Sequence, residues 1–339
     1  MNSYERVMSV LGGRKPDLLP VVPMVREWCS IQAGFDFVEE MESVEKHVFA
    51  QSYSVKEFGY DAVWDMFAVH AESEAMGSKL KIVRGVPPSV IEPAITDYNT
   101  DLPRLKLVDP YQNRRLSIIL EGIRQLKRRF HGEIPVMGYV QAPFRHACML
   151  RGPENAMKDI FKNKERLREL CELALYSQVV YGLAVISAGA DILFVSDPTS
   201  SGDAISRKQW EAWGLQLTTR LVSVLKRSGV KILMHICGDT SDRLESLAST
   251  GVHGLSLDEK VDFEAARKRL GPDYCLMGNV STTLLALGQA EAVAEATREV
   301  ITKAGKDGRL IVSGGCQLAD ICPPENILAM VRAAREYRL

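Results

Sequence analysis

Eight short apolar runs, each followed by a helical pattern, constrain this chain more than any other feature of its sequence. The runs cover residues 18–25, 62–66, 134–140, 191–196, 230–236, 254–257, 274–277 and 310–313. The fourth reads DILFVS, a nearly unbroken apolar stretch. Such stretches suit a parallel sheet buried on both faces, because helices cover each side of it. Helical periodicity follows at 164–188, 207–228, 240–250, 290–304 and 324–336. Ser206 and Gly229 bracket the second of these, and Pro323-Pro324 opens the last. Eight strand–helix units predict an α/β fold, a (β/α)8 TIM barrel, occupying residues 1–339 as a single domain with an N-terminal helical segment. Residues 79–110 hold several prolines and short β-like runs, which predicts an insertion after the second strand.

Composition narrows the function classes. The net charge of -1 gives no electrostatic reason for a nucleic-acid or anionic-membrane partner. The first residues, MNSYERVMSVLGG, are too polar for a signal peptide. No stretch reads as the roughly 18 apolar residues of a membrane span, so a cytoplasmic enzyme is expected. Seven cysteines, an odd number in a long chain, argue against a disulfide framework and for reduced thiols.

In a TIM barrel the chemistry lies at the C-terminal ends of the strands. Polar residues collect there: Arg26, Asp65, Tyr139, Asp197, Asp239 and Asn279. Asp65, Tyr139, Asp197 and Asn279 are candidates for catalysis, and Arg26 and Asp239 for cofactor contacts. The pair His235-x-Cys237 closes the fifth run. Residues two apart on a strand share a face, so one imidazole nitrogen and one thiolate can approach the same ion. Cys316, after Gly314-Gly315 on the eighth run, is the third candidate ligand. Zinc favours nitrogen and sulfur in tetrahedral geometry, and catalytic sites keep one position for substrate or water. Blander readings compete with this one. Buried cysteines usually pack as small hydrophobes, Asp197 before Pro198 suits a turn, and Asp239 could cap a helix near Thr240. Cys29, Cys148, Cys171, Cys275 and Cys322 read as structural.

The motifs resemble the uroporphyrinogen decarboxylase superfamily along nearly the whole chain. The shared marks are residues 61–77 (DAVWDMFAVHAESEAMG), 136–143 (VMGYVQAP), Asp197-Pro198 and Gly278-Asn279-Val280. Residues 234–239 (MHICGD), 257–261 (LDEKV), 278–281 (GNVS) and 313–327 (SGGCQLADICPPENI) are similar to its corrinoid methyltransferase branch, which includes methylcobamide:coenzyme M methyltransferases. The resemblance implies zinc on His235, Cys237 and Cys316. It also implies methyl transfer between a corrinoid (cobalamin) on a separate partner protein and a small acceptor or donor such as a thiol, with a homodimer as the common assembly. A cation at the site would favour an acceptor's thiolate at neutral pH. No D-x-H-x-x-G cobalamin motif occurs, so the corrinoid is expected on the partner. The fourth ligand stays open between substrate, water and a carboxylate from Asp258 or Glu259. The chain departs from the decarboxylases at 23–34, where Arg26 is the only arginine. Asp65, placed where they carry a catalytic aspartate, supports the alternative of metal-independent decarboxylation.

Overall fold

The computed structural model describes residues 1–65, 69–84 and 86–339. The end of the second apolar run, at Met66, lies outside the described residues.

Seven parallel strands form a curled sheet with helices around it. In chain order the strands are β1 (Val63–Asp65), then the hairpin β2 (Lys79–Val83) and β3 (Val86–Glu92), then β4 (Val136–Gln141), β5 (Ile192–Ser196), β6 (Lys231–Ile236), β7 (Gly254–Leu257), β8 (Cys275–Val280) and β9 (Leu310–Gly314). The barrel order is β1-β4-β5-β6-β7-β8-β9, and β2 and β3 pair antiparallel with each other, as an insertion should. The helices at Lys164–Ala188, Ala290–Ala304 and Pro324–Glu336 match the periodicity. The pattern at 207–228 is one helical path with a wider π turn over Glu211–Leu215. The pattern at 240–250 forms helix only over Leu244–Ser249.

Two expectations need correction. Residues 18–25 do not form a strand, and a single parallel bridge between Val21 and Val312 takes its place. Pro20 and Pro23 flank that bridge and have no N–H to donate, so a longer ladder cannot form. The available groups are used: Val22 N donates to Val312 O and Val312 N donates to Pro20 O, each at 2.8 Å. The second correction concerns apolar length. The helix Lys164–Ala188 is long and apolar enough, by length and composition, to cross a membrane. Here it packs against β4 and the neighbouring helices at Arg114–Phe130, Pro143–Arg151 and Gln216–Lys226. Its apolar content is that of a helix lying on a sheet.

The short eighth stave is held by Asp61, whose side chain is fully buried. Oδ2 accepts from Val21 N at 2.7 Å and from Arg335 Nη2 at 2.7 Å. Oδ1 accepts from Ser3 Oγ at 2.8 Å and Arg6 Nη1 at 3.0 Å. Its own N–H donates to Val21 O at 2.7 Å. One carboxylate thus ties the N-terminal helix, the bridging segment and the C-terminal helix together. Removing it leaves buried donors and two arginines without their partner, at a cost of roughly 3–5 kcal/mol. Asp61→Ala is therefore expected to lower the urea unfolding free energy by about that amount, whereas Asp17→Ala, at the exposed end of the same Arg6 network, should cost less than about 1 kcal/mol.

Candidate metal centre

Strand parity sets which side chains meet at the barrel axis. On β5, Phe194 and Ser196 point inward; on β6, His235 does, and Cys237 follows just past the strand on the same side. Cys316 arrives two residues beyond β9. His235 Nε2 lies 3.2 Å from Cys237 Sγ and 3.6 Å from Cys316 Sγ, and the two sulfurs are 3.3 Å apart. A tetrahedral zinc with ordinary Zn–N and Zn–S bonds needs ligand-to-ligand edges of about 3.5–3.8 Å. The triangle is within a few tenths of an ångström of that, so the donor set fits the ion in kind and in spacing.

Two glycines bring these ligands together. Gly238 has φ +80°, and a Cβ there would meet Asp203 Oδ2 at 2.3 Å and Ser201 Oγ at 2.4 Å. Its N–H donates to Asp258 Oδ2 at 2.8 Å. Gly315 lies against the loop after β7, where a Cβ would stand 2.5 Å from Glu259 N.

The imidazole is pre-oriented. His235 Nδ1 sits 3.2 Å from Ser256 O and 3.1 Å from Ser256 Oγ. A carbonyl can only accept, so the proton belongs on Nδ1 and the Nε2 lone pair faces the sulfurs. Phe194 stacks on the ring at 5.7 Å, and Trp64 meets Phe194 edge-on at 5.0 Å. The contact between the two sulfurs draws Cys237 below the ordinary thiol range and pushes Cys316 above it. Among the described residues no fourth histidine, cysteine or carboxylate joins the cluster. Asp258 accepts from Gly238 N and Lys260 N, and Glu259 accepts from Ser281 and Thr282, so both carboxylates are committed elsewhere.

The three ligands face a cavity of about 190 Å³, walled by Met24, Val69, Pro88 and Phe194 with the Tyr139 and Ser196 hydroxyls among them. Arg26 also lines it, paired with the buried Glu27, which in turn accepts from Gln317 Nε2 at 2.7 Å. The remaining candidates lie elsewhere. Asp65 pairs in register with Gly138, whose Cα faces the outer helix at Val185, so its carboxylate turns toward the helical layer. There it lies 3.6 Å from His47 Nε2, and burial, with Glu40 and Glu72 nearby, raises its pKa well above the usual range. Asp197, just past β5, is not part of the cavity lining; burial raises it to about 6, opposed by Ser200 and by the charge of Arg145. Asp239 is exposed and accepts from Ser241 N at 2.9 Å, a turn rather than a cofactor contact. Asn279 donates to Asp258 O and Val261 O, bracing the loop after β7. Arg145 was not anticipated. It stands on the helix Pro143–Arg151 and lines the cavity; its signal was a cation inside the otherwise apolar first turn after Pro143.

The cysteines differ in reactivity. Burial raises Cys29, Cys148, Cys171, Cys275 and Cys322, whereas Cys237 is lowered and partly exposed. Metal-free protein is expected to be alkylated first at Cys237 at pH 8, at least about tenfold faster than at the buried five. Added zinc should suppress that labelling, read by peptide mass spectrometry.

A family profile for uroporphyrinogen decarboxylase (URO-D) matches residues 2–337. A methylcobamide:CoM methyltransferase from Methanosarcina acetivorans is 28% identical, with 98% of each chain covered. A uroporphyrinogen decarboxylase from Pseudoalteromonas atlantica is 26% identical over 90% of this chain and 86% of its own. A solved methyltransferase from Methanosarcina mazei superposes with a TM-score of 0.90 at 23% identity over 99% of both chains, which shows the same fold. With its profile matched almost end to end and its barrel shared, the chain belongs to the uroporphyrinogen decarboxylase (URO-D) family.

Proposed function

We propose that this chain is a zinc-dependent methyltransferase that moves a methyl group between a corrinoid on a separate protein and a small thiol of the coenzyme M type. The observation that carries the reading is the convergence of His235, Cys237 and Cys316 on one cavity, with no protein carboxylate in the fourth position among the described residues. When bound, zinc supplies the charge that favours the thiolate form of an incoming thiol near neutral pH.

The chain's own residues do the rest. Ser256 holds His235 in the tautomer that leaves Nε2 free to ligate. The loop after β7 fixes Cys237 through Gly238 N on Asp258. The apolar walls at Met24, Val69 and Phe194 keep water away from the substrate sulfur. With the thiol's proton released to solvent, the sulfur would attack the methyl carbon of the partner's methyl-Co(III) corrinoid: the C–S bond forms as the Co–C bond breaks, and that bond's electron pair stays on the cobalt, leaving Co(I). The relatives named methylcobamide:CoM methyltransferases support this direction. Decarboxylation through Asp65 is disfavoured, since that carboxylate turns away from the cavity.

Purified protein is expected to hold about one zinc per chain and to methylate a thiol from methylcobalamin, followed by the visible spectrum of the corrinoid. Cys316→Ala should lose most of its zinc and at least about a hundredfold of the rate, with its circular dichroism unchanged. Full activity in chelated, metal-free protein would overturn the proposal.

A further inference from the structure

The cavity's charge is one-sided. Two arginines, Arg26 and Arg145, line it, and among the described residues no aspartate or glutamate does. Arg26 is neutralised at once by Glu27. Arg145 has no such direct partner: it is only 7% exposed, yet among the described residues its one hydrogen bond runs from Nε to Gln141 Oε1 at 3.2 Å and it makes no ion pair. Two buried acids, Glu72 and Asp197, feel its charge without pairing with it; Glu72 accepts instead from Gln141 Nε2 at 3.1 Å and from Gln178 Nε2 at 3.4 Å. Gln141 therefore fixes the inner edge of the guanidinium, and the Nη1 and Nη2 edge is left for whatever enters. His70, also on the lining, gives no compensation; burial and the two arginines keep it neutral.

A buried cation without a direct ion-pair partner is costly, and an entering anion lowers that cost with charge-assisted hydrogen bonds. We infer that Arg145 is the binding residue for a carboxylate or sulfonate group on the substrate thiol, held in place by Gln141, and that Arg26 is structural. This rests on the thiol-acceptor reading above.

The test uses three probes on zinc-loaded protein: 3-mercaptopropionate, 2-mercaptoethanesulfonate and the neutral 3-mercaptopropionamide. Calorimetry measures binding without any methyl donor, and a methylcobalamin assay runs alongside. The wild type is expected to bind an anionic thiol about 10- to 100-fold tighter than the amide. Which anion is favoured separates carboxylate from sulfonate. In Arg145→Gln that ratio should collapse toward one, and Arg145→Lys should recover part of it, since an ammonium keeps the charge and loses the bidentate fork. A merely structural arginine would weaken all three probes alike and leave the ratio intact. Equal binding of amide and anions by the wild type, or an unchanged ratio in Arg145→Gln at normal zinc content, overturns the inference while the methyltransferase reading stands. Thiol binding with the expected ratio but no methyl transfer would overturn the methyltransferase reading and keep Arg145 as the anion contact.

Discussion

The barrel closes on one buried carboxylate. Seven strands supply a curled parallel sheet, but the eighth stave contributes a single bridge at Val21, between prolines that cannot extend it. Asp61 makes up the deficit by accepting from the Val21 backbone and from arginines of the first and last helices. The candidate metal centre depends on that closure. Its ligands come from β6 and from the turn after β9, with two strands between them in the sheet. Only a sheet curled into a ring turns the ends of both strands to one axis, and the three donor atoms then lie within 4.8 Å of one another.

Around that axis the protein separates two kinds of buried polarity. The inward face carries soft donors, two hydroxyls and two arginines, a set suited to a thiol and an anion. Buried carboxyls sit off the cavity lining: Asp65 on β1 and Glu40 on the helix Phe37–Met41 lie beside His47, and Asp197 follows β5. Burial disfavours their charged forms, so they act as neutral or partly neutral packing groups under the helices. The cavity thus carries the cations, while the buried carboxyls around it have their charged forms disfavoured.

Much of this was readable from residues alone. Continuous apolar runs such as DILFVS announced parallel strands, and the spacing in His235-x-Cys237 placed two donors on one face. The choice of Cys316 over Cys322 also agrees with the geometry, since Cys322 is buried and turns its sulfur toward Leu285 O at 3.1 Å. Where a strand-end side chain points was not legible. Asp65 closes β1, but a one-residue change of parity sends a side chain to the opposite face, and an apolar run with both faces buried has no polar alternation to reveal which way it points. Arg145 escaped notice because helix periodicity cannot say that one face of a short helix closes a cavity.

Sequence by itself determined the alternation of strands and helices and the insertion, and it pointed to three candidate donors, because these follow from local periodicity and side-chain chemistry. Tertiary structure decided that the donors meet, that Asp65 stays out of the cavity, that Glu27 cancels Arg26 and that Arg145 has no ion pair among the described residues. Those facts depend on distances between residues far apart in the chain, and such distances are set by how the ring closes and which face each strand turns inward.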